Sequence, residues 1–201
     1  TPYGGFSNTP RHLTNVQGEK LVTSIAHHMG REAAVSETYG CAGWGLTFEQ
    51  MKRLADWQYS LGINMLCPHA FFYSIEGFRK SDAPPSHNHL AGWGHYRTFA
   101  DYIGRLSYVL REGVHSAKVA LLYPLERFWG EHRAGLEGET DRVISDSFDL
   151  CASILPRLHF DYDIMPEQTL ASATVCDGRI AVGDEEYQVI IASPLSVSGQ
   201  A

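Results

Sequence analysis

The sequence predicts an α/β protein built on parallel strands, and three observations carry that reading. Between Gly18 and Glu112, helical and strand-like stretches alternate as helix, strand, helix, strand, helix, the rhythm of a (β/α) barrel rather than of a meander. From Lys118 onward, the continuous apolar runs KVALLYP and QVIIA have the two-sided hydrophobicity of strands inside a parallel sheet. Two strand-like runs also finish on titratable side chains, Glu37 and His69, beside aromatic residues. Parallel β/α architectures carry their sites at that end of the strands.

Residues 1–17 hold two prolines and two glycines without a period, so they read as loop. Gly18 to Gly30 fits a short helix with Leu21, Ile25 and His28 on one face. Glu32 to Glu37 reads as a buried strand, followed by the glycine- and aromatic-rich loop Thr38 to Gly45. Thr47 and Gln50 form a capping-box pattern that opens a helix running to about Leu61, with Gly62 as its stop. Ile63 to His69 is the next strand. Ala70 to Trp93 is a long connection containing Phe71, Phe72, Tyr73, Phe78, His87 and His89, and connections of that length are usually functional or disordered. Tyr96 to Glu112 is a helix with Phe99, Ile103, Leu106 and Leu110 inward.

Gly113-Val114-His115-Ser116 interrupts the pattern, and a second α/β unit begins near residue 117. It contains the strand from Lys118, an amphipathic helix over Asp141–Leu158 (Val143, Phe148, Leu150, Ile154, Leu158), and a short strand near Tyr162–Met165. A hairpin over Ala173–Val182 turns at Asp177-Gly178. The strand Gln188–Ala192 follows.

The 201 residues, 44% hydrophobic and 19% charged, are enough for a packed core. A net charge of −7 argues against a phosphate-backbone partner, so no nucleic acid is expected. No run is long enough to span a bilayer, so no membrane partner is expected either, and the compartment stays open. Cys41, Cys67, Cys151 and Cys176 lack CxxC spacing, which disfavours a zinc ribbon. Cys67 and Cys151 lie in apolar runs, where a buried free thiol is the usual state. Neither His27-His28 nor His87 with His89 has zincin spacing, so zinc is not expected. No GxSxG or phosphate-loop motif occurs.

Ser24-Ile25-Ala26-His27, Ser36-Glu37-Thr38-Tyr39-Gly40, Gly43-Trp44, Asp56-Trp57-Gln58, Gly62-Ile63-Asn64 and Pro68-His69-Ala70-Phe71-Phe72-Tyr73-Ser74 resemble the late barrel segment of large multidomain bacterial glycoside hydrolases. The resemblance is to α-L-rhamnosidase-like proteins (family 106 type) and, more distantly in architecture, to family 42-type β-galactosidases. It implies the C-terminal part of a TIM (β/α)8 barrel over residues 1–116. A doubly wound, glutamine-amidotransferase-like α/β domain, incomplete, would occupy residues 117–201. A barrel needs about 250 residues, so the chain is expected to be an internal piece of a longer enzyme whose seventh and eighth barrel strands are the two seen here.

On that resemblance Glu37 is one member of a carboxylate pair that hydrolyses O-glycosidic bonds, as nucleophile or general base. Ser36, Thr38 and Tyr39 are expected to hydrogen-bond it. By residue type alone, a salt-bridged or helix-flanking glutamate is the commoner fate. His69 would donate to a sugar hydroxyl or else be a core histidine bonded to backbone. Tyr39, Trp44 and Tyr73 would give a stacking platform, whereas Phe72 reads as core. Arg79, Lys80 and Asp82 read as solvated charges. The partner implied is an oligosaccharide or glycoside. No cofactor is implied, although a structural calcium on oxygen ligands is compatible with the family. The second domain would pack on the barrel or mediate homo-oligomerisation. A non-catalytic carbohydrate-binding or scaffold module is the alternative reading.

Overall fold

The structure is a computed structural model that describes residues 16–80, 83–131 and 139–192. Most of the loop expected over residues 1–17, Asp82, and the side chains of Arg79 and Lys80 lie outside the described residues. In chain order the elements are α1 (Gln17–His28), β1 (Val35–Thr38), α2 (Phe48–Ser60), β2 (Met65–Pro68), α3 (Tyr96–Arg111), β3 (Val119–Tyr123), α4 (Leu125–Glu131), α5 (Glu139–Arg157), β4 (Tyr162–Pro166), α6 (Glu167–Ala171), β5 (Thr174–Cys176), β6 (Arg179–Val182), β7 (Glu185–Tyr187) and β8 (Val189–Ala192). Short 3₁₀ turns punctuate the connection between β2 and α3. Two compact units result. One is Glu32–Gly113, and the other joins the limb ending at Arg31 to everything described from Val114 onward.

In the first unit β1 and β2 pair in parallel, with Glu37 opposite Cys67 and Thr38 opposite Pro68. Their crossover is α2, which starts as the sequence predicts. Thr47 Oγ1 accepts from the Gln50 N–H, while the Gln50 side chain accepts from the Thr47 N–H at 2.9 Å. The apolar stripe of α2 presents Met51 to Tyr39, Leu46 and Phe99, with Phe48, Leu54, Tyr96 and Ile103 packed around them. Asn64 ties the strand entries together, accepting from Ala34 N–H (2.9 Å) and donating to the Glu32 carbonyl (3.0 Å).

Some expectations change here. β1 is only four residues long and half exposed, not a buried strand, and Cys67 is exposed. The reason is geometric. Successive side chains of a strand point to opposite faces, and among the described residues of this unit none covers one face of the two-stranded ribbon, so Val35 and Met65 are exposed. On α3, Phe99 is buried, Ile103 and Leu106 are half-buried and Leu110 is exposed, so the predicted inner stripe fails only at the C-terminal end of the helix.

The second unit centres on the apolar strand β3, flanked by β4 and β8 in the all-parallel order β4-β3-β8. Its three-stranded antiparallel annex β5-β6-β7 turns at Asp177 and Gly178, both with positive φ (49° and 75°), as an Asp-Gly hairpin turn requires. Ala120, Met165, Val182 and Tyr187 form a core between sheet and annex. The buried face of α5 is Ile144, Phe148, Ala152 and Leu155, at 3.6-residue spacing. Of the face predicted from sequence, only Phe148 is buried, and Val143, Leu150, Ile154 and Leu158 point to solvent.

The larger departure is α1. The sequence reading places it in the first domain and turns Leu21, Ile25 and His28 inward. Instead it belongs to the second unit and buries Lys20, Thr23 and Ser24, leaving Val22, Ile25 and Met29 exposed. Hydrogen bonds decide this orientation. The Ile164 N–H of β4 donates to Ser24 Oγ at 2.7 Å, and Lys20 Nζ donates to Asp161 at 2.7 Å. Burying a polar face is tolerated when every group finds a partner.

Candidate functional site

In the first unit, the C-terminal ends of β1 and β2 bring Glu37 and His69 together. Glu37 Oε1 lies 3.8 Å from His69 Nε2, with side-chain exposures of 66% and 18%. That separation is too long for a hydrogen bond. It is short enough to be bridged by water or to tighten on a ligand. Gly40 closes the back of the histidine, since a Cβ there would sit 3.5 Å from the imidazole ring.

A strap from the far end of the long connection holds the backbone behind His69. The Ala70 N–H donates to the Pro85 carbonyl (3.0 Å), the His87 N–H to the Ala70 carbonyl (2.9 Å), and the Phe72 N–H to Ser86 Oγ (2.9 Å). His87 is fully buried among Tyr39, Phe71 and Tyr96, and its Nε2–H donates to the His69 carbonyl at 3.2 Å. Burial pulls its pKa down, so it is a neutral donor.

The expected platform is only partly assembled. Trp44 is half exposed and meets buried Phe72 edge-on at 6.3 Å. Tyr73 stands almost wholly in solvent. Tyr39, expected at the ligand face, is buried at positive φ (78°), and its hydroxyl donates to the Met51 carbonyl at 3.0 Å. Burial pushes that phenol far above its usual range. Nor do the neighbours of Glu37 serve it. Thr38 Oγ1 donates to Gln58 Oε1 (2.9 Å), and Gln58 Nε2 donates to Ser36 Oγ (2.8 Å). A buried glutamine on α2 thus captures both hydroxyls, leaving Glu37 facing solvent and His69.

A second constellation lies in the second unit, where α1, the segment before β3, β4 and β7 converge. Asp163 is fully buried. It accepts from His27 Nδ1 and the Tyr187 hydroxyl, each at 2.8 Å. Tyr187 in turn accepts from His28 Nε2 at 2.8 Å, and burial keeps His28 below its usual pKa and neutral. Both nitrogens of His115 face carboxylates, Nε2 toward Asp161 (3.1 Å) and Nδ1 toward Glu185 (3.2 Å) and Asp163 (3.4 Å). Burial opposes charge on His115, but the bonds to Asp161 and Glu185 and the field of Asp163 outweigh it and raise its pKa to about 9. Burial likewise opposes charge on Asp163, and the His27 bond with the nearby cations holds it at about 2.

His27, His115 and Glu185 lie close enough together to raise the question of a metal. The rings answer it. They stack at 3.7 Å with 15° between planes, so their in-plane lone pairs run side by side and do not converge on one ion.

The adjacent histidines and the one at position 115 were visible in the sequence, but nothing linked them. The usable signal is a polar stripe, Lys20, Ser24 and His27 at i, i+4 and i+7, on the side of the helix away from Leu21 and Ile25.

No protein-family model matches the chain. Over 183 residues, 86% of the chain, it is 27% identical to a protein named "Putative beta-glucuronidase" from Formosa agariphila, of which it spans 14%. Its fold is similar to that of a rhamnosidase from Novosphingobium sp. PP1Y, with a TM-score of 0.65 at 19% identity, over 90% of this chain and 17% of that one. The chain is therefore a mixed α/β protein with the fold of a segment of a rhamnosidase chain, and it spans about a sixth or less of the proteins it matches.

Proposed function

We propose that the chain carries one catalytic carboxylate of a glycoside hydrolase, Glu37, at the mouth of a (β/α)8 barrel to which it contributes the last two strands. One observation carries the reading. An open carboxylate at the end of β1 faces a histidine at the end of the neighbouring parallel strand, the position at which such folds place reacting groups. Glu37 serves as nucleophile or general base, and the acid partner comes from a strand outside this chain. His69 donates from Nε2 to a substrate hydroxyl, while His87 keeps the strand end behind it rigid. Trp44 offers a ring face to the sugar. The fold neighbour and the sequence relative, a rhamnosidase and a protein named for β-glucuronidase activity, support the substrate class of glycosides without choosing the sugar. The parallel sheet β4-β3-β8 is an appended α/β domain without a catalytic role.

The test is Glu37→Gln in the full-length protein, assayed on a panel of aryl glycosides that includes rhamnosides and glucuronides. The expected result is a kcat lower by about a hundred-fold or more, with binding retained. Unchanged turnover defeats the assignment. A wild-type protein that binds sugars but cleaves none would make this a carbohydrate-binding module.

A further inference from the structure

We propose that the stacked His27–His115 pair is a proton-dependent clasp that fastens the limb ending at Arg31 onto the second unit, at the point where the chain departs for residues 32–113 and comes back. The argument begins with topology. The limb and the body it completes are separated in sequence by the whole first unit. Such a limb has no short tether and must be held by its own contacts.

Beside the buried Val16 and Ala26, those contacts are polar. The apolar residues Val22, Ile25 and Met29 face solvent, and the helix grips the body through Lys20, Ser24, His27 and His28. His27 lies just before the departure point and His115 just after the return, and their rings are in contact at 3.7 Å. The two passages of the chain are therefore closed on each other by imidazoles.

Charge makes the closure sensitive to protons. From β4 and the residue before it come Asp163 and Asp161, and from β7 come Glu185 and Tyr187. From α1 come Lys20, His27 and His28, and from the segment before β3 comes His115. Three carboxylates thus face Lys20 and the imidazoles. A neutral imidazole has one N–H. On losing its proton, His115 keeps a donor for only one side, and a bare nitrogen is turned on a carboxylate at the other. Among the described residues of the cluster, Lys20 is then the fixed cation, bonded to Asp161 and acting on Asp163 through its field. The elevated pKa of His115 places this event above neutrality, so the clasp is closed near pH 6 and opens as the solution becomes alkaline.

The experiment is hydrogen exchange on the full chain, following amides of Gln17–His28 at pH 6 and pH 9.5 after correction for intrinsic rates. A rise of about 2.5 pH-equivalents in proton affinity corresponds to a loss of protection of up to roughly three-hundred-fold in α1 across that range, with α3 amides unaffected. His115→Gln should lower protection at pH 6 and flatten the pH dependence. Because that variant could fail to fold, the His115 imidazole is also titrated by NMR in the unmodified protein, where a midpoint well above 7.5 is expected. A midpoint near 6.5, pH-independent protection of α1, or an unchanged pH dependence in His115→Gln overturns the proposal. So does one-to-one zinc binding that restores protection at pH 9.5, which would make the cluster a metal site.

Discussion

Lys20 is fully buried, yet its ammonium meets a carboxylate that is half exposed, and this asymmetry allows a graded test of what holds α1 in place. Lys20 Nζ lies 2.7 Å from Asp161 Oδ1 and 5.3 Å from the centre of the Tyr162 ring. Coulomb's law at an effective dielectric near 20 caps the attraction at about 6 kcal/mol, and desolvation removes much of it. Breaking a wholly buried pair costs about 3–5 kcal/mol, but here removal of the lysine leaves Asp161 with water, with His115 and with the Tyr162 N–H. Lys20→Met keeps the aliphatic bulk and should therefore cost only about 2 kcal/mol.

Asp161→Asn should cost more, about 3 kcal/mol, because it takes away the carboxylate in contact with a buried ammonium and leaves only the more distant field of Asp163. The measurement is urea denaturation at pH 6 by far-UV circular dichroism for both single variants and the double. The coupling energy should be at least about 1 kcal/mol and nearly indifferent to 1 M salt, since buried pairs are weakly screened. If Lys20→Met proves the more damaging, or the coupling vanishes, the ionic account of the polar helix face is wrong.

Two further substitutions probe the two units separately. Gly183 has φ +58° and a Cβ there would lie 2.8 Å from the His28 carbonyl, so Gly183→Ala should destabilise by about 2 kcal/mol or more in thermal or urea unfolding, and neutrality would mean that the limb sits further from β6. Gln58→Leu takes the 2.9 Å acceptor from Thr38 and the donor from Ser36, leaves the two hydroxyls with each other at 3.1 Å, and should cost about 1 kcal/mol by the same assay. No loss would show that these hydroxyls find other partners.

The chain announced local features well and long-range polar ones poorly. The Thr47/Gln50 cap, the Asp177-Gly178 turn and the apolar strand β3 depend on neighbours a few residues away, and each stands where the pattern puts it. So does the proximity of Glu37 and His69, because two parallel strands joined by one helix end side by side. Tyr39 eluded the reading because its backbone turns to positive φ, and one dihedral sends the ring inward instead of toward a ligand. Ser36 and Thr38 eluded it because Gln58 competes for them from a helix, which strand periodicity does not register. The polar grip of α1 was the least legible. Its partners Asp161, Asp163, Glu185 and Tyr187 lie more than a hundred residues away, and hydrophobic patterning carries no information on which carboxylate meets which imidazole.

A split body also constrains biosynthesis. The first limb leaves the ribosome well before Tyr187, and at ordinary translation speeds of about 5–20 residues per second it waits roughly ten to thirty seconds for its mate. During that interval its docking face offers water a lysine, a threonine, a serine and two histidines, while Val22, Ile25 and Met29 face water before and after docking alike. A docking face made of ions and hydroxyls adds little to the apolar surface the waiting segment shows, which suits an element that has to arrive early and be joined late.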